Sequence, residues 1–83
     1  MKERGIDIMI DYFDSGAIRG LMLNAGVGVS DLARQADLSP STISKLSRVD
    51  TRARIPTLGK LSRALNVPPS ELLTTSRRYT RDD

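Results

Sequence analysis

The sequence predicts an all-α domain of five short helices, preceded by an N-terminal arm. Three observations predict it. Apolar residues recur at i, i+3 and i+4 through several short windows. Capping and breaking residues (Asp14-Ser15, Gly26, Asp37, Ser39-Pro40, Pro56, Pro68-Pro69) punctuate those windows. At 83 residues with 39% hydrophobic side chains, the chain can bury one small core.

Residues 1–13 form the arm and admit two readings. Ile6, Ile8, Ile10 and Tyr12 alternate with Asp7, Met9 and Asp11 as in a half-buried strand. Ile6, Met9, Ile10 and Phe13 equally fit a helical stripe with Asp7, Asp11 and Asp14 opposite. A strand needs a partner, which a second copy across a dimer axis supplies. The other reading is an extra helix or an arm packed on its own domain. The three aspartates have no further ligand nearby and read as a solvated acidic face, not a metal site.

The helical domain spans 14–74. Asp14 or Ser15 caps a first helix running to about Ala25, with Ile18, Leu21, Met22 and Ala25 on its apolar side. Gly26 ends it as a left-handed C-cap, and Gly28 is the next N-cap. Gly26-Val27-Gly28-Val29 lacks the preceding strand that a nucleotide loop requires. Val29 to Arg48 then reads as two helices joined by a tight turn. Leu32, Ala33 and Ala36 are the inward points of the first, Ile43 and Leu46 of the second. Asp37 tolerates a left-handed backbone at the turn. Ser39 is a good N-cap, and Pro40 fits the first helical position of a helix over 40–48. Ser47 to Ile55 is a loop with Arg48, Arg52 and Arg54. Pro56 and Thr57 start a fourth helix, Leu58 to Leu65, with Leu58, Leu61, Ala64 and Leu65 inward and Lys60 and Arg63 outward. Asn66-Val67-Pro68-Pro69 breaks it, and Pro69-Ser70-Glu71 opens a fifth helix carrying Leu72 and Leu73. Residues 75–83 lack an apolar pattern and read as a mobile basic tail with Arg77, Arg78 and Arg81.

Charge is divided along the chain. Residues 1–38 hold four bases and six acids, a net of −2; residues 39–81 hold nine bases and two acids, a net of +7. A basic half that begins with the second helix of the 29–48 pair is the footprint of a polyanion partner. No apolar run approaches 18 residues, so no membrane span is expected. The absence of cysteine makes a cytoplasmic home the default. The absence of histidine, cysteine and any carboxylate-plus-base constellation argues against an enzyme, and no metal or cofactor is expected.

On Gly26, Leu32-Ala33, Ala36, Leu38, Ser41-Thr42-Ile43-Ser44, Leu46, Pro56 and Ala64-Leu65-Asn66-Val67-Pro68-Pro69-Ser70-Glu71-Leu72-Leu73, the chain resembles the Cro/cI-repressor-type (XRE) helix-turn-helix proteins from about Ile18 to Leu73. The resemblance implies a compact five-helix, lambda-repressor-like domain whose second motif helix enters the DNA major groove. By position, Ser39, Ser41, Thr42, Ser44 and Lys45 are then the base-edge contacts, and Arg48, Arg52, Arg54 and Thr57 the phosphate contacts. Lys45 has the clearest chemistry, donating to guanine O6 and N7; the hydroxyls discriminate weakly. The resemblance further implies a homodimeric transcriptional regulator, a repressor of phage or mobile-element type, on an inverted-repeat double-stranded operator in the bacterial nucleoid. A different reading of the same fold is an antitoxin or antiactivator whose main partner is a protein docking on Ile6–Phe13.

Several positions depart from the family pattern. Asp37 stands where relatives usually have Gly, and Val29 where they usually have Gln. Met22 and Ser47 replace an Arg–Glu pair that many relatives use to join the first helix to the end of the recognition helix. The loop from Leu46 to Pro56 is about three residues longer than usual by that family pattern.

Overall fold

The computed structural model describes residues 6–80, in the order β1 (Ile6–Phe13), α1 (Ser15–Ala25), α2 (Val29–Ala36), α3 (Pro40–Leu46), α4 (Ile55–Leu65), a 3-10 turn (Pro69–Leu72) and β2 (Leu73–Thr80). The all-α expectation is therefore corrected. Among the described residues, four α-helices and one 3-10 turn are accompanied by a two-stranded antiparallel sheet.

The helix boundaries follow from local chemistry. The Asp14 side chain accepts from the Ala17 N–H and caps α1. Gly26 closes α1 with φ 70°, a conformation open to glycine without steric cost. Gly28 opens α2 without a side-chain cap. Asp37 turns α2 off at φ 58°, its N–H and that of Leu38 reaching back to the Arg34 and Ala33 carbonyls. Asn66 ends α4 in the same left-handed region, φ 57°. α3 is shorter than the expected 40–48. Ser47 adopts φ −91° and ψ −2° and its hydroxyl donates to the Ser44 carbonyl, which turns the chain away after Leu46 and leaves Arg48 in the loop. α4 begins earlier than expected, at Ile55, with Pro56 in its first turn.

The core is wholly apolar. Phe13, Ile18, Leu32, Ile43, Leu61 and Leu72 are the largest fully buried side chains, joined by Met22, Ala33, Ala36, Leu46 and Leu58. Ala33 and Ala36 are small where α2 meets α3 and α4, so those helices approach closely. Ala25, expected inward on α1, is exposed.

The two ends of the chain differ from expectation in an instructive way. The arm is a strand, but its partner lies in the same chain: Phe13 pairs with Leu73, Asp11 with Thr75, and the register continues to Ile6 with Thr80. The expected fifth helix is one 3-10 turn, because Leu73 already has an extended backbone (φ −118°, ψ 148°) and starts β2. The expected mobile tail continues as β2 to Thr80. Thr74, Thr75, Tyr79 and Thr80 are strand-favouring residues, and the Thr75 hydroxyl donates to the Asp11 carboxylate at 2.8 Å. Arm residues 1–5 and tail residues 81–83, with Arg81, lie outside the described residues.

Asp37 is the conformational test of this fold. Replacement by Val, β-branched in a left-handed position, is expected to lower stability by about 1–2 kcal/mol, and replacement by Gly to leave it equal or higher. Thermal melting of the two variants checks the pair.

Candidate nucleic-acid interface

α3 presents the first half of the surface. The Ser39 hydroxyl accepts from the Thr42 N–H at 3.2 Å and lies 2.8 Å from the Thr42 hydroxyl and 3.3 Å from that of Ser41. Ser39 is thus committed to starting the helix and to orienting its two polar neighbours. Ile43 and Leu46 are buried. Ser41 and Lys45 are exposed, and Thr42 and Ser44 are half-buried. Lys45 sits in the last turn, where the helix dipole favours a cation. The α2–α3 turn is steadied from α4. Lys60 Nζ donates to the Asp37 carbonyl at 3.2 Å and lies 3.6 Å from its carboxylate.

The loop from Ser47 to Arg54 presents the second half. After the turn at 47–49, its 51–53 segment runs beside β1. The Phe13 N–H donates to the Thr51 carbonyl at 2.7 Å and the Ala53 N–H to the Asp11 carbonyl at 3.0 Å, with Tyr12 and Arg52 bridged antiparallel between them. The 51–53 segment is thus a third, minimal strand beside β1. Arg19 of α1 donates to the Ser47 carbonyl at 3.0 Å. An arginine one turn before Met22 therefore joins α1 to the end of α3, while Met22 is buried. Asp50 accepts from the Ser15 N–H at 2.9 Å and from its hydroxyl at 2.7 Å, both on Oδ1. The backbone donor, then the hydroxyl, holds the Asp50 carboxyl below its ordinary value of 3.8, against a smaller opposing effect of burial.

α3 and this loop enclose a cleft of about 240 Å³, lined by Phe13, Thr42, Lys45, Leu46, Thr51, Arg52, Arg54 and Thr57. Five of the nine residues expected to contact nucleic acid (Thr42, Lys45, Arg52, Arg54 and Thr57) come together here. Ser39, Ser41, Ser44 and Arg48 lie outside its lining. The lining brings three cations and three threonines together with Phe13 and Leu46, and no acid is among its residues. Among the described residues the ion pairs are Arg34–Asp31 and Lys60–Asp37, and neither involves Lys45, Arg48, Arg52 or Arg54. Such a cleft is suited to an anion that accepts several hydrogen bonds, as a phosphodiester does.

Sequence reasoning missed Phe13 and Thr51 in the cleft, and the Ser15–Asp50 and Arg19–Ser47 links behind it. One signal was present: Asp50 is the single acid between Leu38 and Ser70, amid the basic half. Among the described residues no group of His, Cys, Asp and Glu is arranged to hold a metal, and no helix is long and apolar enough to cross a membrane.

The family model described as the Cro/C1-type HTH DNA-binding domain matches residues 17–77. Among solved structures, the chain is similar to the restriction-modification controller protein C.AhdI from Aeromonas hydrophila. The TM-score is 0.64 over 69% of this chain and 86% of that one, with 24% of residues identical, a likeness of fold. No curated protein matches the chain.

Asp50 gives this region a pH signature. Its folded pKa is depressed, so its contribution to stability is present above the unfolded value and is lost as pH falls through the folded one. Wild type is expected to melt above Asp50→Ala near neutral pH, with the gap closing from about pH 4 downward. A gap independent of pH would contradict the assignment.

Proposed function

The chain belongs to the Cro/C1-type helix-turn-helix DNA-binding family, whose members are transcription regulators, and on that premise we propose that it is a homodimeric repressor that lays α3 in the major groove of an inverted-repeat operator. The observation that carries this reading is the cleft that joins Thr42 and Lys45 of α3 to Arg52, Arg54 and Thr57. A helix seated in the groove offers base edges to its exposed face and leaves the flanking phosphates to the loop beside it.

Roles divide by chemistry. Lys45 donates to guanine O6 and N7. Ser41 and Thr42 donate or accept, and the Thr42 methyl suits a thymine methyl. Ser39 and Ser44 make at most near-base contacts, Ser39 acting chiefly through its cap. Arg48, Arg52, Arg54 and the Thr57 hydroxyl take phosphates, releasing counterions as they do so. With no Arg, Asn or Gln in α3, direct readout is modest. DNA shape and the spacing of two half-sites supply the remaining specificity. A dimer that makes about six to eight phosphate contacts has a log–log salt slope near −5 to −7.

Two substitutions separate reading from anchoring. Lys45→Ala is expected to cost about 1–3 kcal/mol and to relax preference at one base pair per half-site. Arg54→Ala is expected to weaken all duplexes alike and to flatten the salt slope by about one. Fluorescence anisotropy over a panel of duplexes at several salt concentrations measures both. Relative affinities unchanged by Lys45→Ala would remove α3 as the reading element.

A further inference from the structure

We propose that Asp50 is a positioning residue for the DNA-backbone contacts: its carboxylate latches the 47–54 loop onto the first turn of α1 and thereby fixes Arg52 and Arg54 at the cleft. The inference rests on the DNA-binding reading above and assigns a part to an acid that this reading leaves unexplained.

Electrostatics alone argues against Asp50. A carboxylate in a basic loop repels the polyanion that the loop attracts. Nor does it neutralise its neighbours, since Arg48 and Arg52 stand two residues to either side and neither pairs with it. Both of its hydrogen bonds go to Ser15, the first residue of α1. That N–H is one of the donors a helix leaves unsatisfied, and the positive end of the helix favours an anion there. Asp14 already serves a different donor, the Ala17 N–H, so the two carboxylates do not compete.

The latch falls between two sets of ties, just past the turn in which the Arg48 and Val49 N–H groups donate to the Lys45 carbonyl. Arg19 grips the Ser47 carbonyl, and β1 grips the Thr51 carbonyl and the Ala53 N–H. Between those ties, Arg48 and Val49 are exposed. Arg52 lies between the two residues tied to β1, and Arg54 precedes α4. The ties from Arg19 and from β1 end on loop backbone atoms, so Asp50 is the loop side chain whose removal breaks a tie to α1. Holding the cations in place beforehand lowers the entropy lost when they take phosphates.

The test compares Asp50→Asn with Asp50→Ala in the full-length chain, with Arg54→Ala as reference. Asn keeps an oxygen that accepts from Ser15 and loses the charge; Ala loses both. Duplex affinity is measured at several salt concentrations, at a temperature where circular dichroism shows every variant folded. Amide hydrogen exchange of residues 50–54 is measured in the free protein. Asp50→Ala is expected to bind about tenfold more weakly, with a salt slope flatter by about one to two. Its loop amides are expected to exchange faster. Asp50→Asn is expected to bind within about threefold of wild type or tighter, since it keeps the latch and removes the repulsion. Two tighter-binding variants would reduce Asp50 to a repulsive charge and overturn the proposal. So would an Asp50→Ala protein that binds more weakly with an unchanged slope. A wild type without salt-dependent duplex binding would overturn the DNA-binding reading and the positioning role together, and the exchange data would still show whether the latch itself exists.

Discussion

The last three residues of β1 are hydrogen-bonded on both edges, and the candidate interface depends on that double use. One edge takes β2, with Phe13 opposite Leu73. The other takes the 51–53 segment through the Phe13 N–H and the Asp11 carbonyl. A two-stranded ribbon by itself is marginal in water. This one is fixed where Phe13, 1% exposed, enters the core between the helices. Phe13 also lines the cleft. A single residue therefore ties the sheet, the core and the 51–53 segment together.

Specificity and attraction are built from different materials. α3 is held by apolar packing below and by a hydroxyl cap at its start, and it offers one cation and a few hydroxyls outward. The loop offers arginines whose placement comes from neighbouring secondary structure. Among the residues whose burial is described, every buried one is apolar. The electrostatic demands fall on the exposed Arg, Lys and Asp side chains, where salt acts on binding far more than on folding.

The helices were legible because their signals are local. Asp14, Gly26, Gly28, Asp37, Ser39-Pro40 and Asn66 each stand at a boundary, and each acts through its own backbone or a residue within one turn. The sheet was legible only by half. Alternating Ile6, Ile8, Ile10 and Tyr12 allowed a strand, but TTSRRYT has no apolar alternation, and its pairing is with residues 62 to 74 positions away. The partner expected across a dimer axis is in the same chain for that reason. The site followed suit. Thr42, Lys45, Arg52, Arg54 and Thr57 meet in one cleft, whereas the Ser15–Asp50 bond, spanning 35 positions, leaves no periodic trace.

The most direct measurement is selection of the full-length protein's binding sites from randomised duplex DNA at roughly physiological salt, followed by sequencing of the bound pool. The account predicts enrichment of an inverted repeat whose half-sites lie about one helical turn apart, as two α3 helices related by a two-fold axis require. A pool without a motif, retained only at low salt, would contradict it and reduce the cleft to non-specific attraction.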